Sequence, residues 1–112
     1  MTGSGKTPMD LMRAVSDVAA QTYLDHKAAI MENPALSTLP VKTKLLIGIG
    51  VAAALQSSTC TLMWVKLARN AGATDAELAE AIAVSRLMKA ATVNDTASDA
   101  MAWLLEQPKT QG

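Results

Sequence analysis

Apolar and polar positions alternate along this chain with helical spacing from Pro8 onwards. Met12, Val15, Ala19, Tyr23 and Ile30 form a first stripe, which fades at Glu32-Asn33-Pro34. Asn33 to Leu39 reads as a loop, and Pro40 opens the next helix, with Lys42 and Lys44 on its exposed first turns. From Leu45 to Leu55 the apolar character runs nearly all the way round, and the helix ends near Gln56. Ser57 or Ser58 caps a third helix, which carries Cys60 and Trp64 and closes at Gly72. Thr74-Asp75-Ala76-Glu77 has the spacing of a capping box and opens a fourth helix. Its apolar stripe is Leu78, Ala81, Ile82, Ser85 and Met88, with Glu77, Glu80, Arg86 and Lys89 on the solvated side. That helix frays around Ala91-Thr92, and a last one runs from about Asn94 to Glu106. The pattern therefore predicts an all-α, five-helix domain over residues 8–107, with tails at 1–7 and 108–112.

The run from Leu45 to Leu55 is too short to cross a bilayer, which takes roughly 20 apolar residues. It is also more apolar than one small domain of its own chain can cover. Gly48 and Gly50, followed by Ala52 and Ala54, leave grooves where another backbone can come close. An interface between subunits is the expectation, with a central helix wrapped by its own chain as the alternative.

Composition narrows the function classes. The 112 residues include seven methionines and no phenylalanine, which suits packed helices better than sheets. Acidic and basic residues balance at ten each, so the chain has no electrostatic footprint for nucleic acid or an anionic membrane. One cysteine makes no internal disulfide, and the N-terminus lacks a signal-peptide pattern, so a cytoplasmic protein is expected. One cysteine and one histidine make no metal-ligand set, and no cofactor motif is complete. Gly3-Ser4-Gly5-Lys6-Thr7 resembles the end of a phosphate-binding loop but lacks the earlier glycine and the leading strand. His26 lies at the edge of the first stripe; it is either a hydrogen-bonded boundary residue or a titrating group facing a pocket.

Several of these segments together carry a resemblance. Pro40-x-Lys42-Thr43-Lys44-x-Leu46-Ile47, an alanine-rich helix, a cysteine segment and Ala71-Gly72-Ala73-Thr74-x-x-Glu77-x-x-Glu80-Ala81 resemble the carboxymuconolactone decarboxylase-like family, which includes the alkylhydroperoxidase D proteins. The resemblance covers roughly residues 20–92 and implies an all-helical subunit assembled as a homotrimer or homohexamer. Redox members of that family carry Cys-x-x-Cys-x-x-x-His at the start of the third helix and a glutamate on the helix before it. Counting back from Gly72 puts Ser57 at the first cysteine, Cys60 at the second, Trp64 at the histidine and Leu45 at the glutamate.

Those replacements decide which chemistry remains open. A dithiol peroxidase needs a second thiol to resolve the sulfenic acid, and Ser57 forms no disulfide. Trp64 offers an indole N–H and no base, and Leu45 no carboxylate. Lactone decarboxylation, the family's other chemistry, lacks acid–base groups for the same reason. Two readings stand. In one, Cys60 near a helix N-terminus is a single reactive thiol, served by an external thiol reductant. In the other the protein is non-catalytic, Cys60 is buried packing, and the pocket at Leu45, Ser57 and Trp64 binds an apolar molecule or nothing.

Overall fold

The structure is a computed structural model that describes residues 5–110. Residues 1–4, with the first two residues of the loop-like motif, and the last two residues lie outside the described residues. The described residues are helical throughout, without a strand: α1 (Pro8–Val15), α2 (Asp17–Met31), α3 (Val41–Ala54), α4 (Ser58–Asn70), α5 (Asp75–Thr96) and α6 (Ser98–Leu105), with a short 3-10 turn at Pro34–Leu36. No helix among them is long and apolar enough to cross a membrane. The chain divides after Val41 into two compact units.

The first unit corrects the helix count from five to six. Thr7 caps α1: its hydroxyl accepts from the Asp10 N–H at 3.1 Å, and the Asp10 carboxylate accepts from the Thr7 N–H at 2.9 Å. These bonds, the backbone one foremost, hold the Asp10 carboxyl below its ordinary value. The periodic stripe suggests that this helix continues to Ile30, but Ser16 stops it with an extended backbone, φ −155° and ψ 111°. Its N–H still closes on Met12, while its hydroxyl accepts from the Ala19 N–H at 3.1 Å and starts α2. A cap supplied mid-stripe outcompetes the helical period. The break also changes which face is covered. Ala20 is buried, whereas Met12, Val15, Ala19, Tyr23 and Ile30 are all exposed.

The second unit is built on α3. Leu45 and Ile49, one turn apart, are its buried positions, and the two glycines let neighbours come close. A Cβ on Gly48 would overlap the Trp64 indole, so the ring of α4 occupies the space that this glycine leaves. Gly50 faces α5: a Cβ there would stand 3.6 Å from the Ala81 carbonyl oxygen and 3.7 Å from the Ser85 Cβ. Ser85 is buried and donates its hydroxyl proton to the Gly50 carbonyl at 2.6 Å. Near the helix starts, Lys42 Nζ meets a Glu77 carboxylate oxygen at 3.0 Å. Contacts 42–77 and 50–85 together mean that α3 and α5 run side by side in the same direction. The close approach expected at Gly48 and Gly50 is thus made by the chain's own α4 and α5.

Both ends of α4 are set by local chemistry. At the end of α3 the Ser57 N–H bonds Ala52 O at 2.9 Å and the Gln56 N–H bonds Ala53 O at 3.1 Å. This doubly bonded stop puts Gln56 at φ +62°, a left-handed conformation that usually falls to glycine. The same stop recurs after α4, where Gly72 takes φ +96° and the Ala73 N–H bonds Ala68 O at 2.9 Å. Thr74 then caps α5 as the sequence predicts: its hydroxyl accepts from the Glu77 N–H at 3.1 Å and Glu77 accepts from the Thr74 N–H at 2.9 Å. Arg69 and Asp75 pair across the turn. The expected fraying at Ala91-Thr92 is absent, and α5 continues to Thr96.

Candidate functional site

Ser57 is the N-cap of α4, and its Oγ accepts from the Cys60 N–H at 3.3 Å. Its carbonyl accepts from the Thr61 hydroxyl at 2.7 Å, so Ser57 holds the first turn through both its side chain and its backbone. Cys60, at the third position of the helix, is a free and exposed thiol. That excludes burial of Cys60 within its own chain. Its helical neighbours at three and four residues are Ser57, Gln56, Met63 and Trp64, none of which titrates near neutrality.

Trp64 sits one turn further along α4, half-buried, with its ring over Gly48. Leu45, three residues before Gly48 on the same face of α3, is buried. Three of the four motif positions therefore have structural duties: a cap, a ring wedged between helices and a core leucine. His26 belongs to the first unit, on α2, where it is exposed. Among the described residues no group of three or more His, Cys, Asp and Glu could hold a metal ion.

Two cavities lie in the second unit. One, of about 490 Å³, opens at the start of α4 and is lined by Ala53, Gln56, Ser57, Thr61 and Val65, among others. Ser57 thus faces a cavity, but Cys60 does not line it. The other is a groove of about 570 Å³ between α3 and α5, walled by Leu46, Ile47 and Val51 on one side and Ala81, Val84 and Met88 on the other. Glu77 and Glu80 stand at the end where both helices begin. The hydrogen bond from Thr74 and the Lys42 ammonium lower the Glu77 carboxyl below its ordinary value. Lys42 and Glu77, read from sequence as separate solvated residues, are thus a pair.

The sequence profile of the carboxymuconolactone decarboxylase family matches residues 17–106. The chain belongs to that family. It is also similar to the crystal structure of a protein from Methanobacterium thermoautotrophicum, a structural-genomics target, at 29% identity and a TM-score of 0.75. That match covers 82% of this chain and 97% of the other. No curated protein matches.

Within the carboxymuconolactone decarboxylase family frame, the Lys42 and Glu77 positions that carried the resemblance have a structural reason. Glu77 closes the cap of α5 and at the same time ties α5 to the start of α3. The sequence offered a signal for the first of these duties, the capping-box spacing, and none for the second. The α3–α5 groove was equally hidden, since facing positions such as Gly50 and Ser85 are 35 residues apart in the chain.

Proposed function

We propose that this carboxymuconolactone decarboxylase family member is a homo-oligomeric cytoplasmic protein, a trimer or hexamer, whose redox group is the single thiol of Cys60. The observation that carries the thiol reading is Cys60, exposed on the first turn of α4, with a serine hydroxyl where a second thiol would stand. The Cys60 thiolate attacks the distal oxygen of a peroxide, ROOH; the O–O bond breaks, RO⁻ leaves and takes up a proton, and Cys60 becomes a sulfenic acid. An external thiol then displaces water to give a mixed disulfide, and a second external thiol releases the reduced Cys60 and an external disulfide. Two electrons pass from two external thiols to one peroxide. Ser57 holds the helix turn and takes no part in the exchange.

The assembly reading is supported by how little of the second unit is covered. Its buried residues are Leu45, Ile49, Ala68, Ala73, Leu78 and Ser85, while Ile47, Val51 and Leu55 remain exposed along α3. A second reading, a non-catalytic subunit, is favoured by one specific observation: the Trp64 ring fills the space over Gly48, at the position where the family's histidine base would stand.

Peroxide consumption with a small-molecule thiol as reductant separates the two. The single-thiol reading expects slow turnover that disappears in Cys60→Ser, together with labelling of Cys60 by an alkylating agent in the intact oligomer. Turnover that survives Cys60→Ser overturns the assignment to this thiol, and absence of turnover in the unmodified protein decides for the second reading. Sedimentation tests assembly separately, and a monomer at micromolar concentration refutes it.

A further inference from the structure

The second unit leaves two apolar surfaces open, and they differ in shape. The first is the concave α3–α5 groove, walled by the exposed Ile47, Val51, Val84 and Met88. The second is convex. Helix α6 is eight residues long and adjoins α5, yet Met101, Trp103, Leu104 and Leu105 are all more than half exposed. At 3.6 residues per turn, 101, 104 and 105 fall on one side and 103 on the other, so α6 is apolar round its circumference. Helices with that pattern belong in interiors, and eight residues are too few to be stable in water unaided.

We infer that α6 of one copy seats in the α3–α5 groove of a second copy, so that two different surfaces of the same chain meet head to tail. This rests on the oligomeric reading above and specifies its contact. Weighting ordinary residue areas by the exposed fractions, the groove walls offer on the order of 400 Å² and α6 on the order of 550 Å². A stable interface needs about 800 Å² per partner, so the flanking rims supply the remaining third to half. Charge sets the direction. Lys42 already meets Glu77, which leaves Glu80 as the acidic group at the groove's starting end. From Ala97 to Thr110 the one basic residue is Lys109, just past α6. An α6 laid antiparallel to α3 and α5 brings both Glu106 and Lys109 to the Glu80 end, where Lys109 stands to offset the two carboxylates. Because the surface offered differs from the surface used, the contact repeats from copy to copy until a ring closes. A two-fold dimer is not its product.

Complementation tests this on the full chain. Val51→Asp with Val84→Asp blocks the groove, and Trp103→Asp with Leu104→Asp blocks α6. Each variant alone should sediment as a folded monomer, and an equimolar mixture should stop at a 1:1 dimer, which has one intact groove and one intact α6. Monomers in the mixture, or a wild-type-sized oligomer from either variant, overturn the inference. A wild-type monomer removes the assembly reading itself, a result distinct from these.

Cross-linking gives the same test without charged residues in apolar sites. In a Cys60→Ser background, Val84→Cys and Leu104→Cys copies should join across the interface on oxidation when mixed, and neither should form dimers alone. Dimers of Leu104→Cys with itself would refute the head-to-tail geometry. Lys109→Glu should weaken assembly on the order of tenfold, and Glu80→Lys in the same chain should restore it; no restoration overturns the antiparallel direction.

Discussion

Gly48→Ala should change sign according to what stands at position 64. In the native protein the added methyl meets the Trp64 ring, which cannot retreat without leaving its place between α3 and α4. Overpacking of this kind costs about 1–3 kcal/mol. The same substitution raises helix propensity by about 1 kcal/mol in mid-helix, so the net effect should be a loss of about 0–2 kcal/mol. In a Trp64→Ala background the ring is gone and the methyl falls into the space it left. Only the propensity gain remains there, and Gly48→Ala should stabilise by about 1 kcal/mol. The coupling between the two sites is thus about 1–3 kcal/mol, well above the few tenths expected of independent positions. The measurement is a double-mutant cycle by urea unfolding at one fixed protomer concentration, because assembly shifts apparent stability by mass action. Equal destabilisation by Gly48→Ala in both backgrounds would show that Trp64 is not what fills the glycine's space.

Gln56→Gly should stabilise the protein by about 1 kcal/mol, because a left-handed position charges roughly that much to a residue with a Cβ; a loss in thermal unfolding would refute it. Glu77 has a lowered carboxyl in the folded protein, so its contribution is complete above the unfolded value of about 4.3 and fades as pH falls through the lowered folded one. Glu77→Gln should lower stability at neutral pH and flatten its decline in acid, and Asp10→Asn should act with the same sign in the first unit; unfolding measured from pH 7 down to pH 3 checks both. Ser57→Cys with Trp64→His should create dithiol peroxide turnover that the native chain lacks. Leu45→Glu should raise the rate only in that background, and alone it should destabilise, since it buries a carboxylate without a partner; assays with a dithiol reductant and parallel unfolding curves decide both.

What the sequence reveals here is what short-range chemistry controls. The Thr74–Glu77 box, the Ser57 cap and the stop at Gly72 each depend on residues within five positions, and all three stand where the sequence puts them. The break at Ser16 is local too, yet the apolar period runs straight through it and hides it. Gly48 shows a different limit. A glycine in an apolar helix announces a close neighbour without saying which, and that neighbour is Trp64, 16 positions on, rather than another subunit. For the candidate site the motif positions are legible while their environments are not. Nothing near Cys60 in the sequence decides between buried and exposed, because its surroundings depend on how α4 leans on α3.

The Ser85 hydroxyl bonded to the Gly50 carbonyl has a consequence for the groove beside it. Sliding α5 along α3 by one turn would take the hydroxyl away from that oxygen and strand it among apolar side chains, at a cost of about 1–3 kcal/mol. The bond therefore works as a ratchet tooth, holding the two helices in one register while the groove is still empty. A visiting helix would meet a finished mould and would not have to order its walls on arrival, so the ordering cost of docking falls mainly on the newcomer. Ser85→Ala keeps the small volume but removes the tooth. The groove would then be free to change its length and depth with whatever enters it.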